Sequence, residues 1–313
     1  MEHLCRLLGK SRQAWYQGRK FHVDRSMQEE IILKEIERIR EDLPRIGCYK
    51  LHYMLREFRE KHEIKMGEKA LRELLRSRNM LVKTKRRRKV RTTYSLGRGW
   101  NFYPNLIEDK VFNEPHLAWV ADITYLPVGR SFDYLSLITD VYSHMIVGWA
   151  LWESLEAAGP LHALNMALRQ RKKKFQVLIH HSDRGIQYYS HRYTGLLKQN
   201  GIEISMTKNG DPYENAMAER VNGIIKDEIL EGRGYPNHEM AMAAVEKAIH
   251  SYNQLRPHRS CDLLTPAKAH KTNGPLRKHW TKRSFKEPDS LAPTLQELEE
   301  TMTNDPDFNL NDC

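Results

Sequence analysis

The sequence predicts a mixed α/β core that is preceded by short, strongly charged helices. From residue 118 onward, short runs rich in β-branched and aromatic residues are separated by turn residues and then alternate with helical patterns. The residues before this point carry charged sequence with helical spacing instead. The fold class therefore follows from the order of strands and helices in the second part of the chain.

The first 82 residues are predicted to form small helical units. Residues 1–20 have the outline of a partial helix-turn-helix, with a turn at Gly9 and a cap at Ser11. Residues 21–82 are predicted to be a helical DNA-binding domain, with a charged helix over 28–42 and a helix pair over 47–58 and 67–76. Four basic residues follow helical spacing on the second helix of that pair, namely Lys65, Lys69, Arg72 and Arg76. This stripe predicts contact with a DNA major groove, although Glu68 and Glu73 are equally compatible with an ordinary solvated surface.

Basic charge is concentrated at the front of the chain. The whole chain has a net charge of +11, and its first 100 residues hold 27 Lys and Arg against 13 Asp and Glu. The densest run is Lys85, Arg86, Arg87, Arg88 and Lys89, inside a segment over 83–104 that we interpret as a DNA-tracking linker. Such a linker supplies affinity for phosphates without sequence specificity.

The core is predicted over residues 105–235. Three strands over 119–128, 132–141 and 144–151 are consistent with an antiparallel meander, and the remaining order is helix 155–171, strand 177–182, helix 190–199, strand 202–206 and a final helix. Residues 236–280 form a predicted helical extension, with one helix over 237–253. Residues 281–313 are acidic and rich in proline, so we predict a disordered tail.

Three carboxylates in this core need a physical explanation. Asp122 lies inside an apolar run, where an unpaired charge is costly unless a cation meets it. Asp183 closes a second apolar run, and Glu219 follows it with 35 residues between them. This spacing indicates a metal-dependent polynucleotidyl transferase.

The helix that carries Glu219 is predicted to be amphipathic. Asp211 is a suitable N-cap, Pro212 suits the first helical position, and Glu214 completes a capping box. At 100° per residue, a polar band opposite the apolar stripe contains Asn215, Glu219, Asn222 and Lys226. Taken alone such a band is usually only solvated, but the two buried aspartates favour a role in chemistry.

The donor set predicts a hard cation. Three converging carboxylates repel one another, so that at least one would stay protonated without a counter-ion. Oxygen ligands without a Cys or His cluster favour Mg²⁺, for which Mn²⁺ can substitute. Two such ions would activate the attacking oxygen and stabilise the leaving oxygen at a phosphodiester.

Four motifs resemble those of OrfB-type insertion-sequence transposases in the DDE retroviral-integrase superfamily. They are WVADIT at 119–124, HSDRGIQY at 181–188, ENAMAER at 214–220 and YNQLRPH at 252–258. The family pattern is an Asp, a second Asp, 35 residues, a Glu and a basic residue seven positions later. In this chain those residues are Asp122, Asp183, Glu219 and Lys226.

The resemblance implies a ribonuclease-H-like catalytic core, with a mixed five-stranded sheet and flanking helices. It also implies Mg²⁺-dependent cleavage at transposon ends, strand transfer of the 3′-hydroxyl, and double-stranded DNA partners comprising terminal repeats and target. Lys226 would pair with a phosphate, and Asn222 is a further predicted DNA contact. Asn215 would bond to DNA or orient the carboxylate, and Arg256 and His258 would face DNA or have a packing role. Synapsis of two ends implies a homo-oligomer of at least two copies.

Other expectations follow from what the sequence lacks. The four cysteines show no zinc-ligand spacing such as the N-terminal module of retroviral integrases, so no zinc is predicted. No apolar run approaches the ~20 residues of a membrane span, which predicts a cytoplasmic protein. The resemblance implies that it is bacterial and associated with the nucleoid. Since no heptad repeat is present, the resemblance leaves two alternatives: a complete transposase, or the catalytic half of a fusion with the product of a preceding reading frame.

Several residues compete with these assignments. Asp140 falls near the end of the second strand and is predicted to cap the following turn rather than to bind metal. His180 and His181 are adjacent strand residues, so both cannot ligate one ion. Two rival functions are a transposase-derived DNA-binding regulator without catalysis and a ribonuclease H that cuts RNA–DNA hybrids.

Overall fold

The front of the chain is a long helix followed by three short ones. A computed structural model describes residues 12–83, 103–171, 176–208 and 215–280, with side chains described from residue 25 onward. Helix α1 spans Arg12–Asp42 without a break. The helix predicted over 28–42 therefore ends where predicted, but its predicted start is wrong. A single glycine inside this helix costs only about 1 kcal/mol and does not end it. The predicted turn at Gly9 lies outside the described residues.

The predicted helix pair is observed as three helices. These are α2 (Cys48–Met54), α3 (Arg56–Lys61) and α4 (Glu68–Ser77), and α2 and α3 are separated at the fully buried Leu55. Lys65 precedes α4 and is therefore not part of its helical stripe. Leucines of α2 and α4 turn inward and form part of a hydrophobic core.

A five-stranded mixed sheet follows, with the strand order β3-β2-β1-β4-β5. Its strands are listed in chain order as β1 (Ala118–Val128), β2 (Ser131–Asp140), β3 (Ile146–Trp152), β4 (Leu178–Ser182) and β5 (Ile202–Met206). The first three strands pair antiparallel, whereas β4 pairs parallel to both β1 and β5. The predicted ribonuclease-H-like arrangement of the sheet is confirmed.

Helix α5 (Ala158–Gln170) packs very closely on β3. A Cβ atom added at Gly148 would lie 2.1 Å from the backbone oxygen of Ala163 and 2.9 Å from the Cβ of Ala167. Only glycine leaves room for this contact. A short helix α6 (Ile186–Tyr189) and helix α7 (His191–Gln199) then connect β4 to β5.

The helix that carries Glu219 begins later than predicted. Helix α8 spans Ala216–Gly223 with Asn215 at its N-cap, and it continues as a π-helical segment over Ile224–Ile229. The predicted cap at Asp211 and capping box at Glu214 lie outside the described residues. The predicted apolar stripe is largely observed, since four of its members are buried, namely Val221, Ile224, Ile225 and Ile229.

The chain then forms helix α9 (His238–His250), a second π-helical segment (Ser251–Leu255) and a short helix α10 (Pro266–Ala269). One hydrophobic cluster contains residues of α2 and α4 together with residues of α8, α9 and both π-helical segments. Residues Met1–His279 form one unit by their contacts. Among the described residues, no helix is long and apolar enough to cross a lipid bilayer. The predicted acidic tail, residues 281–313, and most of the basic linker lie outside the described residues.

Candidate active site

Two of the predicted carboxylates lie side by side because β1 and β4 are parallel. The register pairs Ala121 with Ser182. Asp122 directly follows Ala121, and Asp183 directly follows Ser182. Both aspartates line the same cavity. The strand pairing alone therefore brings together two acids that are 61 positions apart.

Asp122 is held by two hydrogen bonds and surrounded by negative charge. The side-chain amide of Asn222 donates to Oδ2 at 2.8 Å, and the backbone N–H of Ile123 donates to Oδ1 at 2.9 Å. Burial and repulsion from Asp183 raise the pKa of Asp122 to about 7, with a smaller contribution from Glu219. The two hydrogen bonds partly oppose this shift because they favour the ionised carboxylate.

Asp183 occupies a tight turn after β4. Its Oδ1 accepts a hydrogen bond from the backbone N–H of Gly185 at 3.0 Å, and burial raises its pKa. A Cβ atom at position 185 would lie 2.9 Å from this same carboxylate oxygen. Glycine is therefore required for the carboxylate to keep its position.

Glu219 lies in the first turn of α8, and its side chain is exposed. Three residues later, Asn222 reaches Asp122, while Asn215 at the N-cap donates from Nδ2 to the backbone oxygen of Ala121 at 3.2 Å. These two asparagines fasten the helix to β1. Glu219 is thereby placed close enough to Asp122 to raise its pKa.

Asn215 and Asn222 are both buried against β1, and their predicted contact with DNA stays a prediction. Each side chain is about 5% exposed, and each amide is committed to β1. The polar band of the predicted helix is thus divided: its two asparagines are buried contacts, while Glu219 faces outward. A helical wheel cannot detect this division because it contains no information about the neighbouring strand.

The three carboxylates fit a hard divalent cation. All donors are oxygen atoms, which Mg²⁺ prefers in proteins. Burial and the nearby Asp183 both disfavour the ionised form of Asp122, and a bound cation would oppose both effects. Asp122, Asp183 and Glu219 are the residues that would hold it.

Lys226 lies in the π-helical segment that follows α8, with its Nζ 3.6 Å from the centre of the Tyr125 ring. A cation over an aromatic face is attracted by the ring electrons. Since Tyr125 belongs to β1, this contact holds the lysine near the carboxylate cluster. Its predicted contact with a DNA phosphate stays a prediction.

Arg256 and His258 are both buried, which fits the packing role that was the alternative to DNA contact. Arg256 is 1% exposed and forms a bidentate ion pair with Glu228, with both N–O distances at 2.8 Å. His258 stacks on His144 with ring centres 4.2 Å apart, and burial lowers its pKa well below the ordinary value. Their contact with DNA stays a prediction.

His144, His258 and Cys261 form a second group of potential metal ligands, with ligand atoms within 4.8 Å of one another. The Cys261 thiol donates to the backbone oxygen of Ser143 at 3.3 Å, and burial raises its pKa to about 12. A thiol must lose its proton to bind zinc. In this structure the group is packed together, with its thiol hydrogen-bonded to the backbone.

The basic stripe near α4 is partly neutralised. Arg72 pairs with Glu68 at 2.7 Å and Arg76 pairs with Glu73 at 2.5 Å. Lys65 and Lys69 are exposed. These ion pairs match the solvated-surface interpretation for the two arginines, and groove contact by the stripe stays a prediction. The run from Lys85 to Lys89 lies outside the described residues.

The other residues considered as possible metal ligands make structural hydrogen bonds. Asp140 accepts hydrogen bonds from the backbone and side chain of Ser143 and from the backbone of His116, which confirms its predicted role in the turn. His180 bonds to the Tyr193 hydroxyl at 2.9 Å, and His181 bonds to Ser205 at 2.8 Å. Neither histidine is among the residues that line the carboxylate cavity.

Sequence reasoning missed the aromatic side of this cavity. Tyr125, Phe132, Tyr134 and Tyr188 line it together with Asp122 and Asp183. Tyr125 and Tyr134 are cross-strand partners, which the predicted hairpin at 129–131 could have indicated. Aromatic residues in strands are so often core residues that this pattern alone gives no functional signal.

Comparison with known proteins agrees with this fold and site. Two family models, both described as integrase core domain, match residues 113–212 and 200–266. Together they span the sheet, all three carboxylates and the π-helical segments. The class that the fold and site define is therefore the integrase catalytic core, a polynucleotidyl transferase fold.

Similarity to curated proteins identifies the family within this class. The insertion element IS600 uncharacterized 31 kDa protein of Shigella sonnei is 31% identical over 271 residues, which cover 84% of this chain and 96% of that protein. The transposase for insertion sequence element IS629 of Shigella sonnei is 37% identical over 161 residues, 51% of this chain. The matched part spans about half of the IS629 transposase, 54% of its length. The chain belongs to the insertion-sequence transposases of the DDE integrase superfamily.

Solved structures with detectable similarity include retroviral integrases. The HTLV-2 integrase catalytic core domain in complex with magnesium, in its trimeric form, is 18% identical, covers 50% of this chain and 97% of that chain, and has a TM-score of 0.38. The simian T-cell lymphotropic virus intasome in complex with PP2A regulatory subunit B56 gamma is 17% identical, with 72% and 78% coverage and a TM-score of 0.45.

Proposed function

We propose that this protein is a DNA transposase that cleaves DNA at the ends of its element and transfers the freed 3′-hydroxyl to a target phosphodiester. The observation that carries the proposal is the placement of Asp122 beside Asp183 by the β1–β4 register, with the helix that carries Glu219 hydrogen-bonded to β1, in a chain of this family. Two hard cations, Mg²⁺ or Mn²⁺, are the proposed cofactors. No covalent enzyme intermediate is required.

The residues of the chain prepare this reaction in three ways. Asp122 and Asp183 hold negative charge at adjacent sheet positions, and Glu219 adds an exposed carboxylate from α8. Asn222 donates a hydrogen bond to one oxygen of Asp122 and so fixes the orientation of the carboxylate. When bound, two Mg²⁺ ions would supply activation of the attacking oxygen and stabilisation of the leaving oxygen.

The proposed partners are double-stranded DNA and a second copy of the chain. The first 100 residues carry a net charge of +14, which favours binding to phosphates. Joining two ends requires at least a dimer, and the product of a preceding reading frame is a further proposed partner. Because the proposed substrate is DNA, the proposed site of action is the nucleoid in the bacterial cytoplasm.

A nicking assay on duplex DNA that carries the terminal repeat of the element tests the proposal. We expect Mg²⁺-dependent cleavage, and a loss of at least about a hundredfold in Asp122→Asn, Asp183→Asn and Glu219→Gln. Glu203→Gln is a matched control because Glu203 is an exposed acid on β5.

Each rival function predicts a different result in this assay. A regulator without catalysis would bind the repeat and leave it intact. A ribonuclease H would cut an RNA–DNA hybrid of the same sequence in preference to the duplex. Cleavage that is equal in the wild type and in all three carboxylate variants would exclude the proposed site.

A further inference from the structure

Asp183 lies just beyond the paired part of strand β4. The register of this strand ends at Ser182, which pairs with Ala121 of β1 and with Met206 of β5. Asp183 is the next residue of the chain, so the sheet pairing alone does not fix its carboxylate. The position of this group matters because Mg²⁺ requires near-octahedral oxygen ligands at about 2.0–2.1 Å.

Two hydrogen bonds within the turn give it its local shape. The Oγ of Ser182 donates to the backbone oxygen of Asp183 at 3.0 Å, and the backbone N–H of Gly185 donates to the Asp183 carboxylate at 3.0 Å. Both bonds join residues that are close neighbours on the chain. They therefore shape the turn without attaching it to another strand.

Arg184 attaches this turn to the end of β5. Its Nε donates to the backbone oxygen of Thr207 at 2.7 Å, and the two residues are 23 positions apart. Thr207 directly follows β5, and its own N–H donates to the backbone oxygen of Ser182 at 3.2 Å. Thr207 is thus bonded to the residue before Asp183 and to the residue after it.

Solvent is poorly placed to replace the Arg184 bond. Thr207 is only 2% exposed, and Arg184 is partly buried. A hydrogen bond from an ionised donor is roughly twice as strong as one between neutral groups. A buried carbonyl that loses its donor is costly. We therefore expect the turn to rearrange when the Nε donor is removed.

We propose that Arg184 is a positioning residue for Asp183. Its Nε bond completes the attachment of Thr207 on both sides of Asp183, and this attachment keeps the carboxylate in one orientation for a hard cation. The inference rests on the proposed function, which supplies the cation and the reaction. The alternative role of Arg184 is direct contact with a DNA phosphate, which would require its positive charge rather than a donor at Nε.

Three substitutions separate the donor from the charge. Arg184→Gln places a neutral N–H donor the same number of bonds from the backbone as Nε. Arg184→Lys keeps the charge but places its nitrogen one bond further from the backbone. Arg184→Met removes both the donor and the charge and keeps an unbranched side chain.

The first readout is amide hydrogen exchange over residues 182–189 in the protein without DNA or metal. We expect exchange in this segment to rise at least about tenfold in Arg184→Met and to stay within about threefold of the wild type in Arg184→Gln. Exchange over residues 118–128, in strand β1, is the internal reference. A general loss of stability would raise exchange in both segments, whereas loss of the Arg184 bond raises it in the turn.

The second readout is the metal dependence. Mn²⁺ affinity of the DNA-free protein is measured by electron paramagnetic resonance, and the Mg²⁺ midpoint is measured for cleavage of the terminal-repeat duplex. We expect both to weaken about 10- to 100-fold in Arg184→Met and Arg184→Lys, and by no more than about threefold in Arg184→Gln. Arg192→Gln is the matched control because Arg192 is an exposed arginine on α7, and it should equal the wild type.

A phosphate contact predicts the opposite order of the variants. Arg184→Lys would then bind the duplex like the wild type, while Arg184→Gln and Arg184→Met would bind more weakly. The slope of log affinity against log salt concentration would fall by about 1 in the two neutral variants. This pattern, or unchanged exchange over residues 182–189 in Arg184→Met, would overturn the positioning role.

The outcomes also separate this inference from the proposed function. A wild type that cleaves no DNA, together with the expected order of exchange and Mn²⁺ affinity, would refute the transposase reaction and support the positioning role. Wild-type cleavage combined with equal behaviour of Arg184→Gln and Arg184→Met would refute the positioning role and leave the transposase reaction intact.

Discussion

At the scale of single residues, Asp122 illustrates how a strand can carry a charge. Its neighbours in β1, Val120 and Ala121, are buried, and the carboxylate itself is almost surrounded by protein. The structure compensates it with two hydrogen bonds but not with a basic side chain among its described contacts. The metal-free protein is therefore expected to be destabilised by ionisation of this one group.

This destabilisation gives a pH-dependent prediction. The folded-state pKa of Asp122, about 7, exceeds the ordinary value of 3.8, so the folded state holds a proton that the unfolded chain has lost. The free energy of unfolding should fall as pH rises from about 4 to 7 and then level off. Asp122→Asn should reduce this slope and, above pH 7, be more stable than the wild type by on the order of 1–3 kcal/mol.

Urea unfolding in EDTA at several pH values measures the effect. Added Mg²⁺ should stabilise the wild type and fail to stabilise Asp122→Asn. The exposed acid variant Glu203→Gln should follow the wild-type profile. Parallel profiles for wild type and Asp122→Asn would contradict the argument.

Asn222 is a positioning residue for the same carboxylate. Asn222→Ala removes the hydrogen bond that favours the ionised form of Asp122, so the pKa of Asp122 should rise further. We expect Mg²⁺ affinity to fall about 10- to 100-fold and the acidic limb of the pH–rate profile to move to higher pH. Asn165→Ala, on the exposed surface of α5, is the control. A lower rate with an unchanged profile and unchanged affinity would contradict this role.

At the scale of elements, the contact between β3 and α5 depends on one glycine. Gly148→Ala would force its Cβ into the backbone of Ala163, so that strand and helix must separate. We expect a loss of roughly 1–3 kcal/mol in the free energy of unfolding, typical of overpacking. Gly195→Ala, in α7 with open space around it, should instead be neutral or stabilising by up to about 1 kcal/mol. Chemical denaturation of both variants tests the contrast, and equal effects would refute it.

The transition from α8 to a π-helical segment explains why a helical wheel placed residues imperfectly. In the π-helical segment the backbone N–H of Leu230 bonds to the oxygen of Ile225, five residues earlier, so the rotation per residue differs from 100°. Ile224, Ile225 and Ile229 of this segment are nevertheless buried, as the wheel predicts. Lys226 meets Tyr125 of the neighbouring strand, which the wheel could not predict.

At the scale of the whole molecule, a buried ion cluster joins the helical front to the catalytic core. Glu228 pairs with Arg256 and lies 3.9 Å from Lys50 of α2. Burial, followed by repulsion from Arg256, lowers the pKa of Lys50 to about 7. The front helices and the core also share one hydrophobic cluster, so we expect them to unfold together.

Glu228→Ala tests this coupling. It leaves Arg256 buried without its partner, and we expect a loss of about 3 kcal/mol or more in stability. Unfolding should lose its single transition if the front separates from the core. Glu246→Ala, at an exposed position on α9, is the control and should behave as the wild type. A Glu228→Ala protein with wild-type stability would show that the cluster does not hold the two parts together.

From the sequence alone we could predict the order of strands and helices along the chain, the apolar stripe of the Glu219 helix, the turn function of Asp140 and the family. These features depend on local periodicity and on motifs that lie within a few residues of one another. The tertiary structure decided which polar residues face solvent. Asn215, Asn222, Arg256 and His258 resemble DNA contacts in the sequence but are buried, because their partners lie on elements far away along the chain. The cavity beside Asp122 and Asp183, which is lined by aromatic residues of a hairpin, also depends on tertiary structure. The parallel pairing of β1 and β4 is what brings those two aspartates together.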